Sequence, residues 1–597
     1  MRTFLSIFCL VIVLASCKDE KTEENTETAM TMPNEDFDKL LDSYYEEGLQ
    51  LNPLNATYAG DNRYNDQFPN MLSKSHIDKT KSYYTKYLNE LNNIADSTLT
   101  DSQKMSKAIL KWEVDMALED FKFKQRELVP IDQMWSPHLS VGQLASGAGA
   151  QPFETVEDYN NWLKRLDGYT EWLQSVKNNM EKGISEGYVL PKSLIVKVLP
   201  QIESGASNDI ENHLFYSPIK NMPDSFSEED KATLKDAYTA KLNEKIIPAY
   251  KSLYEFLKTD YVAAGRESSG INDTPNGAAY YNYMIKLFTT TNMTADEIHN
   301  LGLKEVERIS AEMEKVKEQV GFEGDLKSFF NHVRTNKELM PFDDPQEVID
   351  NFNAIHETMK PQINKLFDVK PKTAFEVRRT EAFREASASA EYNQGSLDGT
   401  RPGIFYVPIP DVTAYNIFSD EALFLHEAIP GHHYQISLQQ EDTNLPQFRK
   451  TLWYSAYGEG WALYSESLGK ELGLYTDPYQ YFGMLGMEMH RAIRLVVDTG
   501  LHSKGWTREQ AIQYSLDHEA ESEASITSEI ERYMAMPGQA LSYKIGQLKI
   551  KELRAKAEKE LGTNFDISEF HNEVLEPGCV PLALLEDKIN AWISANK

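Results

Sequence analysis

Apolar positions recur at intervals of three and four through most of the chain, the pattern of helices that bury one face. Phe37, Leu40, Leu41 and Tyr44 share one such face, and comparable stripes run through 110–128, 169–180, 234–257 and 548–561. Thr294 followed by Glu297 is a capping box: each side chain bonds a backbone amide at the helix start, which predicts a helix through Glu305 and Val306. Period-two alternation is scarce. The best strand signal is Gly403-Ile-Phe-Tyr-Val407, bounded by Pro402 and Pro408. It predicts either an edge strand able to pair with an extended peptide or part of a buried β-hairpin. The expected fold class is therefore mainly α, with many helices and one small β element. Pro- and Gly-rich breaks near 137–152 and 268–277 suggest an N-terminal helical lobe, 36–277, and a C-terminal lobe, 278–597. No internal repeat is visible.

The first residues read as an address. Arg2 precedes an apolar run from Phe4 to Ala15 that is too short to span a bilayer and ends Leu14-Ala-Ser-Cys17, which resembles a bacterial lipobox. Residues 1–16 are then a lipoprotein signal peptide, Cys17 the lipidation site and 17–35 an acidic flexible tether. Lys18-Asp19-Glu20 resembles a lipoprotein surface-export signal, so the expected place is the cell envelope, at the outer membrane and on its surface, with membrane contact only through the lipid. Cys9 leaves with the signal, which leaves Cys579 without a partner for an intrachain disulfide. The 61 basic and 92 acidic residues give a net charge of −31, which argues against nucleic acid or an anionic membrane face as partner. At 597 residues, 41% hydrophobic and 26% charged, the remainder reads as ordinary globular chain with room for sizeable cores.

One stretch departs from that background. Leu423-Phe-Leu-His-Glu-Ala-Ile-Pro-Gly-His-His-Tyr-Gln435 places three of only 13 histidines, and a glutamate, behind an apolar run. In the helical zinc motif H-E-x-x-H, two histidines four apart share a face and the glutamate serves as general base. Here the fourth residue after His426 is Pro430. Proline removes a helical hydrogen bond and glycine accepts unusual backbone angles, so Pro430-Gly431 predicts a local break that brings His432 to the place of the missing ligand. His432 is the expected second ligand, with His433 as the alternative. A second segment, Gly458-Glu459-Gly-Trp-Ala-Leu-Tyr-Ser-Glu466, offers Glu459 as third ligand. Glu466, on the same helix face, suits a carboxylate that orients a ligand histidine.

These motifs, together with Arg494–His502 (R-L-V-V-D-T-G-L-H), Arg532–Ala540 (R-Y-M-A-M-P-G-Q-A) and Asn52–Asp61 (N-P-L-N-A-T-Y-A-G-D), resemble the large bacterial family catalogued as domain of unknown function 885. The resemblance extends to gluzincin-type zinc metallopeptidases of the thermolysin-like clan. It implies a multi-helix metallopeptidase-like scaffold with a cleft between helical lobes and the β element near the metal. The expected function is hydrolysis of peptides, in carboxypeptidase or dipeptidase fashion. The alternatives are hydrolysis of a non-peptide amide or ester, or binding without catalysis. One zinc ion on His426, His432 and Glu459 would lower the pKa of a water to near 7, and Glu427 would act as general base. The developing oxyanion needs a further donor, for which His502, Tyr533, Tyr543 and His571 are candidates. Asp498, four residues before His502, would orient that histidine. Arg532 and Lys544 read as structural salt-bridge residues or as partners of a substrate carboxylate.

Overall fold

The computed structural model describes residues 32–597 except 148, 382–384, 386, 387, 397, 398 and 400. The signal peptide, Cys17 and most of the proposed tether lie outside the described residues. The rest is mainly helical, with one three-stranded sheet. The predicted stripes become helices whose apolar faces meet. Phe37 and Leu41 are buried in Glu35–Leu51, and Tyr169, Leu173 and Met180 in the long helix Val156–Glu186. The Thr294 capping box forms, with both reciprocal bonds present, at the start of Ala295–Gln319.

Local chemistry corrects some of the expected bounds. The 110–128 stripe is divided, because the helix Asp101–Asp120 ends before a separate turn at Gln125–Leu128. The 234–257 stripe contains a π-helical segment, Leu242–Ile246, that ends two positions before Pro248, whose missing N–H cannot continue the α-helical ladder. The break expected at 137–152 is in part a helix, Pro137–Ala145, opened by its proline. Most of the buried apolar residues form one continuous cluster from Phe37 to Ile593, and Met116, Tyr280, Tyr283 and Met284 form a second, smaller one. Bonds such as Gln133 Nε2 to the Glu531 carbonyl, 3.0 Å, and the Leu582 amide to Thr290 Oγ1, 2.9 Å, tie distant parts of the chain together.

The predicted strand forms over the expected residues but in a different role. Strand β3 (Gly403–Val407) is the middle strand, flanked by β1 (Phe375–Arg379) in parallel and β2 (Glu391–Asn393) antiparallel. Its backbone is thus paired on both sides, and it offers no free edge to a peptide. The sheet is more than the expected hairpin, since β1 joins it from earlier in the chain. Phe405 packs edge-on against Phe352, with ring centroids 5.1 Å apart. Among the described residues no helix is long and apolar enough to cross a membrane.

A cavity of about 810 Å³ is lined by side chains including Trp112, Glu113, Met116, Tyr280 and Tyr283. None of His426, Glu427, His432 and Glu459 lines it. Its lining residue Trp112 lies edge-on to Tyr454 at 5.1 Å, at the start of the helix that carries Glu459.

Candidate metal centre

The histidine stretch folds as two helices with a break between them. Asp420–Glu427 ends at Ala428, and His432–Glu441 begins after Gly431. The break is tight: a Cβ on Gly431 would stand 1.9 Å from the His426 carbonyl oxygen and 2.3 Å from that of Leu425. Only glycine fits there. The Pro430 carbonyl accepts from the indole N–H of buried Trp461, 2.8 Å, which fastens the turn to the Glu459 helix. That helix, Ser455–Glu466, crosses Ser542–Leu561 at Gly460 and Gly546, where a methyl on Gly460 would lie 2.5 Å from Gly546 Cα. Two side-chain-free positions let the backbones touch, and this sets the depth of Glu459.

His426, His432 and Glu459 each present a ligand-type atom, and these atoms all lie within 4.8 Å of one another. Glu459 Oε2 is 3.5 Å from His426 Nε2 and 3.4 Å from His432 Nε2. Charge-assisted hydrogen bonds are shorter, about 2.7–2.9 Å. Ligands held at about 2.0–2.1 Å round a tetrahedral ion, by contrast, stand about 3.3–3.4 Å apart. The donor set, two imidazoles and a carboxylate converging on one point, therefore fits a zinc-type cation. The two imidazole planes are nearly perpendicular, at 89°.

Supporting contacts differ for the two histidines. His426 Nδ1 bonds Glu466 Oε1 at 2.7 Å, which fixes the ring and leaves Nε2 to face Glu459. His432 Nδ1 is buried with no hydrogen-bond partner. Its ring lies 5.7 Å from that of Trp453, a 42% exposed residue, so the cluster sits close to solvent on that edge. Burial opposes protonation of His426, but Glu459 and Glu466 together raise its pKa to about 9. Burial likewise acts to raise the Glu459 carboxyl, and His432 and His426 outweigh it, holding the group well below its ordinary value. Glu427 is buried beside them. Desolvation raises its carboxyl, against the charges of His426, His432 and Arg491.

Other predicted residues lie in other settings. His433 turns away from the cluster: its Nδ1 is 2.9 Å from the Tyr392 hydroxyl, its ring is 4.9 Å from that of Phe375, and burial lowers its pKa to about 4. One residue beyond His432 points to another side of the helix, so His433 seats the sheet and lies outside the group formed by His426, His432 and Glu459. His502 is not free to stabilise an oxyanion, because Nδ1 accepts from the Ile271 amide at 3.0 Å and Nε2 donates to the Tyr533 carbonyl at 3.0 Å. Asp498 does not orient it. That carboxylate instead accepts from the Tyr281 hydroxyl, 2.6 Å, and the Gly538 amide, 3.1 Å. Tyr533 is committed to Arg494 Nε at 2.9 Å and Glu529 Oε2 at 2.7 Å. His571 bridges the Leu366 carbonyl, 2.7 Å, and the Tyr464 hydroxyl, 2.9 Å. Lys544 is fully buried against Glu488, 2.7 Å, and Glu305, 3.0 Å.

Tyr543 stands on the helix that crosses the Glu459 helix. It follows Ser542, whose hydroxyl is 2.7 Å from that of Ser455, and precedes the Gly460–Gly546 crossing by one turn. Its hydroxyl is 3.4 Å from Arg532 Nη2, and Arg532 also pairs with Glu529 at 3.4 Å. Arg491, whose charge acts on Glu427, is the residue that reasoning from sequence passed over. The available signal was its spacing of three from Arg494, which puts both on one helix face.

Comparison with solved structures finds chains of the same fold. The "putative lipoprotein from Colwellia psychrerythraea" superposes with a TM-score of 0.85 at 28% identity, covering 94% of this chain and 99% of that one. A "putative lipoprotein of unknown function from Shewanella oneidensis" gives 0.72 at 18% identity, covering 92% and 99%. No curated protein matches the chain. The family described as "Bacterial protein of unknown function (DUF885)" matches residues 53–589, a span that holds the His-Glu helix, the Pro-Gly break and the Glu459 helix, and the chain belongs to that family.

Proposed function

We propose that this chain is a metal-dependent hydrolase of peptides, tethered to the cell envelope by a lipid on Cys17. The observation that carries the reading is the convergence of His426, His432 and Glu459, with buried Glu427 beside them and Glu466 behind His426. His426, His432 and Glu459 would hold one zinc ion, which when bound would supply acidification of water and stabilisation of developing negative charge. Glu427 accepts the proton of the attacking water and returns it to the leaving amine, a role suited to a carboxyl raised by burial. Glu466 holds the His426 ring in the tautomer that presents Nε2. Tyr543 is the remaining candidate donor to the oxyanion. The lipid anchor is supported by the Leu14-Ala-Ser-Cys17 motif and by the name given to the relative from Colwellia psychrerythraea.

The test combines metal analysis with a peptide library read by mass spectrometry. One zinc per chain, cleavage of library peptides, and a fall of about 10²- to 10⁴-fold in turnover for Glu427→Gln are expected. A fully zinc-loaded protein that leaves the library intact, or a Glu427→Gln protein as active as the parent, overturns the reading.

A further inference from the structure

Beside Glu427 the chain gathers positive charge that its own carboxylates do not neutralise. Arg491 and Arg494 lie three apart on the helix Pro478–Ser503, and both guanidiniums face the Tyr543 ring, at 5.8 and 4.5 Å from its centroid. Arg532 reaches the same tyrosine from the helix Glu523–Ala535. Glu529 is shared between Arg494, at 2.9 Å, and Arg532, at 3.4 Å. Glu519 is taken up by His490, whose Nδ1 lies 2.6 Å from it and whose Nε2 lies 3.6 Å from Glu529. Among the described residues, Arg491 has no carboxylate within ion-pairing distance; its one hydrogen bond goes to the Met487 carbonyl at 3.4 Å.

Two of these guanidinium nitrogens, Arg491 Nε and Arg494 Nη1, are buried with no acceptor. A buried, unpaired guanidinium N–H is costly, and the chain as a whole carries −31, so an arginine such as Arg491 with no carboxylate partner among the described residues is unusual here. Planar forks of this kind match a carboxylate. We infer that Arg491 and Arg494, backed by the Tyr543 ring and Arg532, bind a carboxylate of the substrate and so place the scissile bond beside Glu427. The position of the bond rests on the hydrolase reading, whereas the carboxylate site stands on its own geometry. Either a C-terminal carboxylate or an acidic side chain near the cut would fill it.

The experiment measures binding and turnover separately. Zinc-loaded Glu427→Gln protein is titrated with three N-acetylated peptides of one sequence: the free acid, its C-terminal amide, and the amide with an added glutamate. Tighter binding of the free acid than of the amide, by about 10- to 100-fold, is the expectation for one charge-assisted pair. A second Arg491→Gln change should abolish that preference. Preference for the glutamyl amide instead would assign the site to an acidic side chain. Equal binding of all three peptides, or a preference that survives Arg491→Gln in protein with an unchanged unfolding midpoint, overturns the inference. A carboxylate preference in binding combined with no hydrolysis of any peptide by the parent protein would leave the inference standing and sink the peptidase reading. Hydrolysis of acid and amide at equal kcat/KM, with equal binding, would do the reverse.

Discussion

Replacing Gly431 with alanine asks whether the helix break itself builds the cluster. The new methyl would stand 1.9 Å from the His426 carbonyl oxygen and 2.3 Å from that of Leu425. Nonbonded heavy atoms settle near about 3.5 Å, so the turn must retreat by more than about 1 Å. Both obstructing atoms are main chain, and no rotamer relieves the contact. The retreat moves either the last turn before Glu427 or the first turn after Gly431. Either movement changes the 3.5 and 3.4 Å separations of the two imidazoles from Glu459. A ligand set tolerates displacements of about 0.5 Å. Zinc affinity should therefore fall at least about 100-fold, or about 2.7 kcal/mol, and overpacking should cost a further 1–3 kcal/mol of stability, roughly. Chelator competition measures the first quantity and urea unfolding the second. Gly486→Ala is the control, because the nearest atom to its new methyl is Phe418 Cε2 at 4.0 Å and a helix interior gains up to about 1 kcal/mol from alanine. If Gly431→Ala holds zinc as tightly as the parent while the control behaves as stated, the break does not position the ligands and the reasoning fails.

Three further outcomes are expected. Glu466→Gln removes the carboxylate 2.7 Å from His426 Nδ1, and zinc affinity should drop about 10- to 100-fold in the same competition assay; no change would show that the contact orients nothing. His433→Phe should leave zinc content at one per chain while lowering stability by about 1–2 kcal/mol, through loss of the 2.9 Å bond with Tyr392, and missing zinc would restore His433 as a ligand. His502 and His571 are each pushed by burial to about 3, so the native state refuses a proton that the unfolded chain binds. Stability from each is complete above about pH 6.5 and drains on acidification by up to about 1.4 kcal/mol per pH unit. Urea midpoints should fall between pH 7 and 5, and less steeply for His571→Gln; identical slopes would show that this ring is not held neutral.

The pattern of agreement follows how far apart in the chain the deciding contacts lie. Helix stripes, the Thr294 cap and the β3 residues were legible because each depends on neighbours within a few positions. The sheet order was not, since β1 joins β3 from Phe375–Arg379, and nothing in Gly403–Val407 records which strands will flank it. Arg491 carried no motif of its own. Its meaning comes from the Tyr543 ring and from Glu427, both far away in sequence.

His502 shows the limit most plainly. A histidine four residues after an aspartate on a helix looks like an oriented pair, yet the ring bonds the Ile271 amide 231 positions away and Asp498 bonds Tyr281 and Gly538. The amino-acid order alone determined the helical class and the interruption between His426 and His432, because proline and glycine act on the backbone at their own positions. Only the tertiary structure decided that Glu459 meets both imidazoles, that His433 faces the sheet and that Arg494 and Arg532 share Glu529 while Arg491 has no carboxylate partner among the described residues. Those outcomes depend on where separate helices cross, as at Gly460 and Gly546, and a crossing is set by the packing of both partners together.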